Sequence, residues 1–190
     1  NYTQRAESSA NVLVITVAAA GSSSNAIGGN LGAIVMKNRS NALIGKQVSI
    51  TADGNVTVKA LQNSELYLIA ASAAVSGSRT AAGGTLNVTV NGTEANVTVN
   101  DGTTIRSEKG SVVLNADTKE KLISVLASAS AALGGTGAAG VLSVLVSGSK
   151  TVADIGKVTI YAKKDVHILA TAVSKLFQIN ASVSGASQNA

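Results

Sequence analysis

The sequence has no cysteine, no proline and no tryptophan, and only one phenylalanine, three tyrosines, one methionine and one histidine in 190 residues. Without cysteine there are no disulfides, no thiolate metal sites and no cysteine nucleophile. Without proline there are no proline kinks or cis-prolyl turns. The single histidine, His167, cannot build a multi-histidine metal centre, and a Ser-His-Asp triad would have to rest on it alone. With 2% aromatic residues, the interior falls to Val, Ile, Leu and Ala, which suit thin, repeated layers.

Charge is also sparse. Fifteen Lys and Arg against ten Asp and Glu leave a net +5, scattered along the chain. That pattern does not fit nucleic acid, since a single-strand binder interleaves its cations with aromatic platforms. The longest strongly apolar run, Val12 to Ala20, is well short of the roughly 20 residues that span a bilayer as a helix. The start, Asn1-Tyr2-Thr3-Gln4-Arg5, has no signal-peptide pattern, and we read the chain as an internal segment of a longer protein.

What the sequence does have is a repeat of about 55 residues. Gly54-Asn55-Val56-Thr57-Val58-Lys59-Ala60 recurs as Gly110 to Ala116 and as Lys164 to Ala170, and each copy alternates as a half-buried strand does. Val48 to Ala52 matches Val158 to Ala162, with Thr103, Ile105 and Ser107 between them. Another strand begins at Val12, Tyr67, Ile123 and Phe177, with apolar columns Val14-Ile69-Val125-Ile179 and Thr16-Ala71-Ala127-Ala181. Further columns are Leu31-Leu86-Leu142 and Val35-Val90-Val146, preceded by Gly29, Gly84 and Gly140. Gly45, Asn100 and Gly156 share one position, read as a turn corner, and are residue types that tolerate a left-handed backbone. The repeats run 12–66, 67–122 and 123–176, with a partial copy at 177–190.

Ala-rich stretches such as 127–133 could be helical by propensity, but they are laced with Ser and Gly and carry no capping pattern. Short strands joined by Gly, Asn, Asp and Ser corners bury their apolar faces only by stacking. The expected fold is therefore all-β, a right-handed parallel β-helix in which equivalent residues share an inward environment and polar residues lie outside. Five or six strands per repeat predict two to three turns per unit, about 8 to 10 turns in all, and a rod of about 40 to 50 Å. The assigned register predicts that Asp is disruptive at Ile50 or Val112 and tolerated at Thr51 or Val113. An antiparallel sandwich is the alternative, but it does not require a fixed offset over several copies.

No catalytic, cofactor-binding, metal-binding or receptor-binding residue is assigned. His167 shares an outward column with Thr57 and Val113, so no role repeats there. Asp53, Asp101, Asp117, Asp154 and Asp165 lie near turns, and Asp165 aligns with Asn55 and Ser111, side chains suited to bonding corner backbone. Neither an EF-hand nor a Gly-Gly-x-Gly-x-Asp calcium repeat appears. The glycine pairs 28–29, 83–84 and 134–135 lack the Lys-Ser/Thr of a phosphate loop and are read as corners. Asn-x-Ser/Thr sequons stand at Asn1, Asn38, Asn55, Asn87, Asn91, Asn96 and Asn180. An ice-binding Thr face is not supported, because Thr57 is followed in its column by Val113 and His167.

The unit formed by Ile44-Gly45, Val48 to Ala52 and Gly54 to Ala60, with its counterpart Ile155-Gly156 and Val158 to Ala170, resembles the repeats of filamentous-haemagglutinin-type adhesins, and large leukotoxin-like exoproteins of anaerobic bacteria in particular. The resemblance implies a non-enzymatic segment of a secreted or cell-surface adhesin, a host-cell or bacterial receptor or glycan as partner, and export through an outer-membrane two-partner transporter. A pectin-lyase-like carbohydrate enzyme and a membrane-active toxin segment are the alternatives. Open strand ends allow end-to-end self-association.

Overall fold

The computed structural model describes residues 1–187. Ten strands wind through it: β1 (Tyr2–Ser22), β2 (Asn25–Ile44), β3 (Ser49–Ala52), β4 (Val56–Ser76), β5 (Thr80–Val99), β6 (Thr104–Ser107), β7 (Val112–Ala132), β8 (Thr136–Ile155), β9 (Thr159–Ala162) and β10 (Val166–Ala186). They form three parallel sheets, ordered β1-β4-β7-β10, β2-β5-β8 and β3-β6-β9. The fold is a right-handed parallel β-helix with no helix among the described residues.

One 55-residue repeat makes one coil, not two to three. The higher count treats Gly, Asn, Asp and Ser as corners of short strands, whereas many of these residues sit inside strands of 21 and 20 residues followed by a third of 4. Parallel pairing every ~4.8 Å then gives about 14 Å from β1 to β10, while a 21-residue strand extends about 70 Å. The expected rod is a broad, thin slab. Its two long sheets face one another, turn back sharply at one edge (the tip), and are joined at the other (the base) by the short third sheet.

The base is built as the alternation predicts. Val56, Val58 and Ala60 of β4, Ala95, Val97 and Val99 of β5, and Ile105 of β6 meet the matching residues of β7 in a dry core. Ile50 and Val112 point inward and are buried, while Thr51 and Val113 point outward. Each fully buried Val or Leu contributes roughly 1.5 to 3 kcal/mol of transfer free energy.

The tip reverses that polarity. There Ser72, Ser76, Thr85, Asn87, Thr89, Ser128 and Ser130 are buried between the sheets. The columns Ile69-Val125-Ile179 and Leu31-Leu86-Leu142 are correctly aligned, yet they face outward. The sheets come too close for large inner side chains: a Cβ placed on Gly83 would lie 2.5 Å from the Ala129 carbonyl oxygen. Gly28 meets the Ala73 carbonyl in the same way. Hydroxyls and amides bridge the narrow gap, with Thr85 Oγ1 donating to Ala127 O (3.1 Å) and Asn30 Nδ2 to Thr16 Oγ1 (2.8 Å).

Two further alignments are corrected. In the first coil the columns begin one residue later, at Leu13 rather than Val12, so Ile15 and not Val14 joins Ile69. The run from Val12 to Ala20 is apolar on both faces, so alternation could not choose its register. The left-handed corner residues are Gln47 (φ 56°) and Gly102 (φ 75°), two positions beyond Gly45 and Asn100.

Candidate functional surfaces

The residues singled out in the sequence are dispersed, and some of them serve the corners. At the base, Asn1 Oδ1 accepts from the Asn55 amide (2.7 Å), Asn55 Oδ1 from the Ser111 amide (2.9 Å), and Ser111 Oγ from the Asp165 amide (3.3 Å). This ladder binds each coil to the next and gives the Asn55 and Ser111 side chains the turn role expected of them; Asp165 joins it through its backbone amide. Asp101 does likewise, accepting from the Lys157 amide at 2.7 Å. Asp53 is exposed on a corner 3.7 Å from Lys109. Asp154 is the penultimate residue of β8, but Asp117 lies within β7, away from any turn.

His167 stacks outward beside Val113 and Thr57, as aligned. Of the glycine pairs, only Gly134-Gly135 is a corner; Gly28-Gly29 and Gly83-Gly84 lie inside β2 and β5. Among the sequons, Asn87 and Asn91 are 1% and 2% exposed, which bars glycan attachment to either in the folded chain. Asn55 and Asn96 face outward.

Charge collects on the base half. Residues 12–36, 122–149 and 176–187 hold no Asp, Glu, Lys or Arg, and 66–93 hold only Arg79, in the turn between β4 and β5. On the outer face of the β2-β5-β8 sheet, Arg39, Glu94 and Lys150 occupy one column, and Lys37, Gly92 and Gly148 the neighbouring one. The two glycines leave a shallow trough of about 380 Å³ edged by Lys37, Arg39 and Lys150. Three cations against one carboxylate make it the most cationic feature of this face, and it suits an acidic ligand. Glu94 is held there by Asn96 Nδ2 (2.6 Å), by Arg39 Nη2 (2.6 Å) and by Lys150 Nζ (3.7 Å). These partners hold its carboxyl below the usual range, chiefly through the Asn96 amide and then the Arg39 guanidinium.

This column was readable in the sequence, because Arg39, Glu94 and Lys150 recur at offsets of 55 and 56. The charges look scattered along the chain, and the stacking at these offsets is what brings them together on one face. On the opposite long sheet, Lys121 Nζ donates to Tyr67 Oη (2.8 Å), and Tyr67 donates to Glu65 (3.1 Å); the phenol hydrogen bond raises the Lys121 pKa. At the base, Arg106 lies 4.4 Å above the Tyr161 ring.

Inside the slab, midway between base and tip, Glu120 is buried at 4% exposure. It accepts from Asn91, Ser147 (2.5 Å) and Ser174 (3.4 Å), and no Lys or Arg pairs with it among the described residues. Both polar atoms of the nearby inward Gln62 are buried without a partner. This belt separates the base core from the Met36-Leu66-Leu122 cluster. A second shallow trough, about 440 Å³, crosses the outer tip face over Gly29, Gly84 and Gly140, between flanking apolar ridges. Comparison with protein-family models, curated proteins and solved structures finds no match to this chain.

Proposed function

We propose that this chain is a structural segment of a secreted or cell-surface filamentous adhesin, in which stacked coils display broad lateral faces to a host-cell or bacterial receptor. The observation that carries this reading is the pairing of every coil with the next along all three strands, reinforced at the corners by the Asn1-Asn55-Ser111-Asp165 ladder. Such a unit adds coils without changing its cross-section, which is what a fibre of variable length requires. The repeat resemblance adds the surface location and the two-partner export route.

The cationic trough of Lys37, Arg39 and Lys150 is the face we assign to an acidic glycan. The role is binding, not turnover. The test incubates the chain with heparin, polygalacturonate and a neutral dextran, following both retention and product absorbance. Salt-sensitive retention on an acidic polysaccharide, weakened several-fold by Arg39→Ala with Lys150→Ala, supports the proposal. Reproducible cleavage would replace it with the carbohydrate-enzyme reading.

A further inference from the structure

We propose that the outer tip face of the β2-β5-β8 sheet is a lateral seam that binds a second copy of this chain, side by side and with the coils in step.

The face is apolar and unpartnered. Ile27, Leu31 and Val35 of the first coil are 79%, 75% and 69% exposed, and no charged residue lies between Asn25 and Met36. Three stacked ladders cross it: a groove of Gly29-Gly84-Gly140, a ridge of Leu31-Leu86-Leu142 two residues further along, and a second ridge of Val35-Val90-Val146. Solitary exposed apolar residues are ordinary, whereas a continuous apolar sheet face marks an interaction surface.

The occupant follows from the spacing of large and small residues. Consider a second copy laid face to face, related by a two-fold axis parallel to the coil stack and passing over Asn30, Thr85 and Val141. The operation reverses strand direction and keeps each coil level with its counterpart. Every Leu of the ridge then falls on a Gly of the partner's groove, and every groove receives the partner's Leu. The next positions out also match, Ala33 against Ile27, Val88 against Ala82 and Val144 against Ala138. A two-fold interface must be self-complementary in this reciprocal sense, and facing sheets interlock when large residues oppose small ones. All three coils meet the condition.

The size of the face sets the strength. The segment that the axis lays on itself, residues 27–33 and their counterparts, is seven residues of strand across three coils and covers about 23 by 14 Å, or roughly 330 Å² per partner. Stable complexes bury about 800 Å² a side, so a three-coil piece pairs weakly, and each added coil enlarges the seam by about 110 Å². The contact is distinct from end-to-end joining, which would use the edges of β1 and β10, and it does not depend on the adhesin reading.

The glycines supply a clean test. A Cβ on Gly84 or Gly140 meets nothing within 4 Å in its own chain, so filling the groove leaves the fold intact. Sedimentation equilibrium of the 190-residue chain should show a concentration-dependent monomer-dimer equilibrium. Gly84→Leu should weaken it at least tenfold with an unchanged circular dichroism spectrum, and Gly140→Val should do the same. Combining Gly84→Leu with Leu86→Gly exchanges ridge and groove and should restore dimerisation; end-to-end contacts would respond to none of these. A wild-type chain that stays monomeric at several hundred micromolar overturns the proposal, as does a dimer indifferent to Gly84→Leu or a double variant that fails to recover. Flotation of a monomeric chain with phosphatidylcholine vesicles would instead assign the face to lipid.

Discussion

Exchanging polarity at the tip should produce the opposite of what hydrophobic burial teaches. Thr85 is 3% exposed, with its Oγ1 3.0 Å from Ser72 Oγ and 3.1 Å from Ala127 O. Leu86, the next residue, faces outward. Thr85→Leu puts a longer side chain, one heavy atom larger than threonine, into a gap where Gly83 already admits no Cβ, an overpacking cost of about 1 to 3 kcal/mol. It also removes the hydroxyl that meets Ser72, adding about 1 to 2 kcal/mol for the lost pairing. The total is about 2 to 5 kcal/mol, a large share of the 5 to 15 kcal/mol typical of a domain. Leu86→Ser removes only outward surface and should cost under about 1 kcal/mol. Urea unfolding at low micromolar concentration, where lateral pairing is absent, measures both. If Leu86→Ser proves the more damaging of the two, the tip is not inverted and the packing described above is wrong.

At the base the ordinary rule should hold: Val112→Asp strands a carboxylate in the dry core and should abolish cooperative unfolding, while Val113→Asp should retain a wild-type-like melt by circular dichroism. Asn55→Ala removes a corner ladder rung and should cost about 1 kcal/mol, with faster hydrogen exchange of the Ser111 amide as its local signature. Glu120→Gln discharges a buried carboxylate that has no cationic partner and should stabilise the chain by about 1 kcal/mol or more in urea melts; loss of stability would show that the charge is compensated. The folded pKa of Glu94 lies below its unfolded value, so its contribution to stability is complete above the ordinary carboxylate range and disappears as pH falls through the lower folded value. Carboxyl NMR titration should show that depressed midpoint, and Asn96→Ala should move it upward.

The repeat, the alignment of the columns and the corner chemistry were legible because residues of one kind return at one offset from coil to coil. Asn55 and Ser111 each use a short polar side chain to accept the corner amide of the next coil, while Asp165, on the last of these corners, takes part through its backbone amide. What the sequence could not show was the distance between the two long sheets. Ile69 and Leu86 look like core residues by chemistry, and Ser72 and Thr85 look like surface; only the near contact of backbone at Gly28 and Gly83 excludes the larger side chains from the interior. The number of coils failed for a related reason. Glycine and serine usually punctuate strands, but in a thin two-sheet interior they are the residues that fit, so apparent breaks are continuous strand. The cationic trough was accessible in principle, since its column repeats as faithfully as the apolar ones.

Spending some 55 residues on each coil yields only about 4.8 Å of axial growth, or about 0.09 Å per residue, against 1.5 Å for an α-helix. A fibre built this way gains breadth far faster than reach. Its cross-section, several times wider than thick, resists bending in the plane of the long strands and yields across it, as a ruler does. A filament of such coils would therefore lie flat along a surface it contacts by one broad side while keeping its course within that surface.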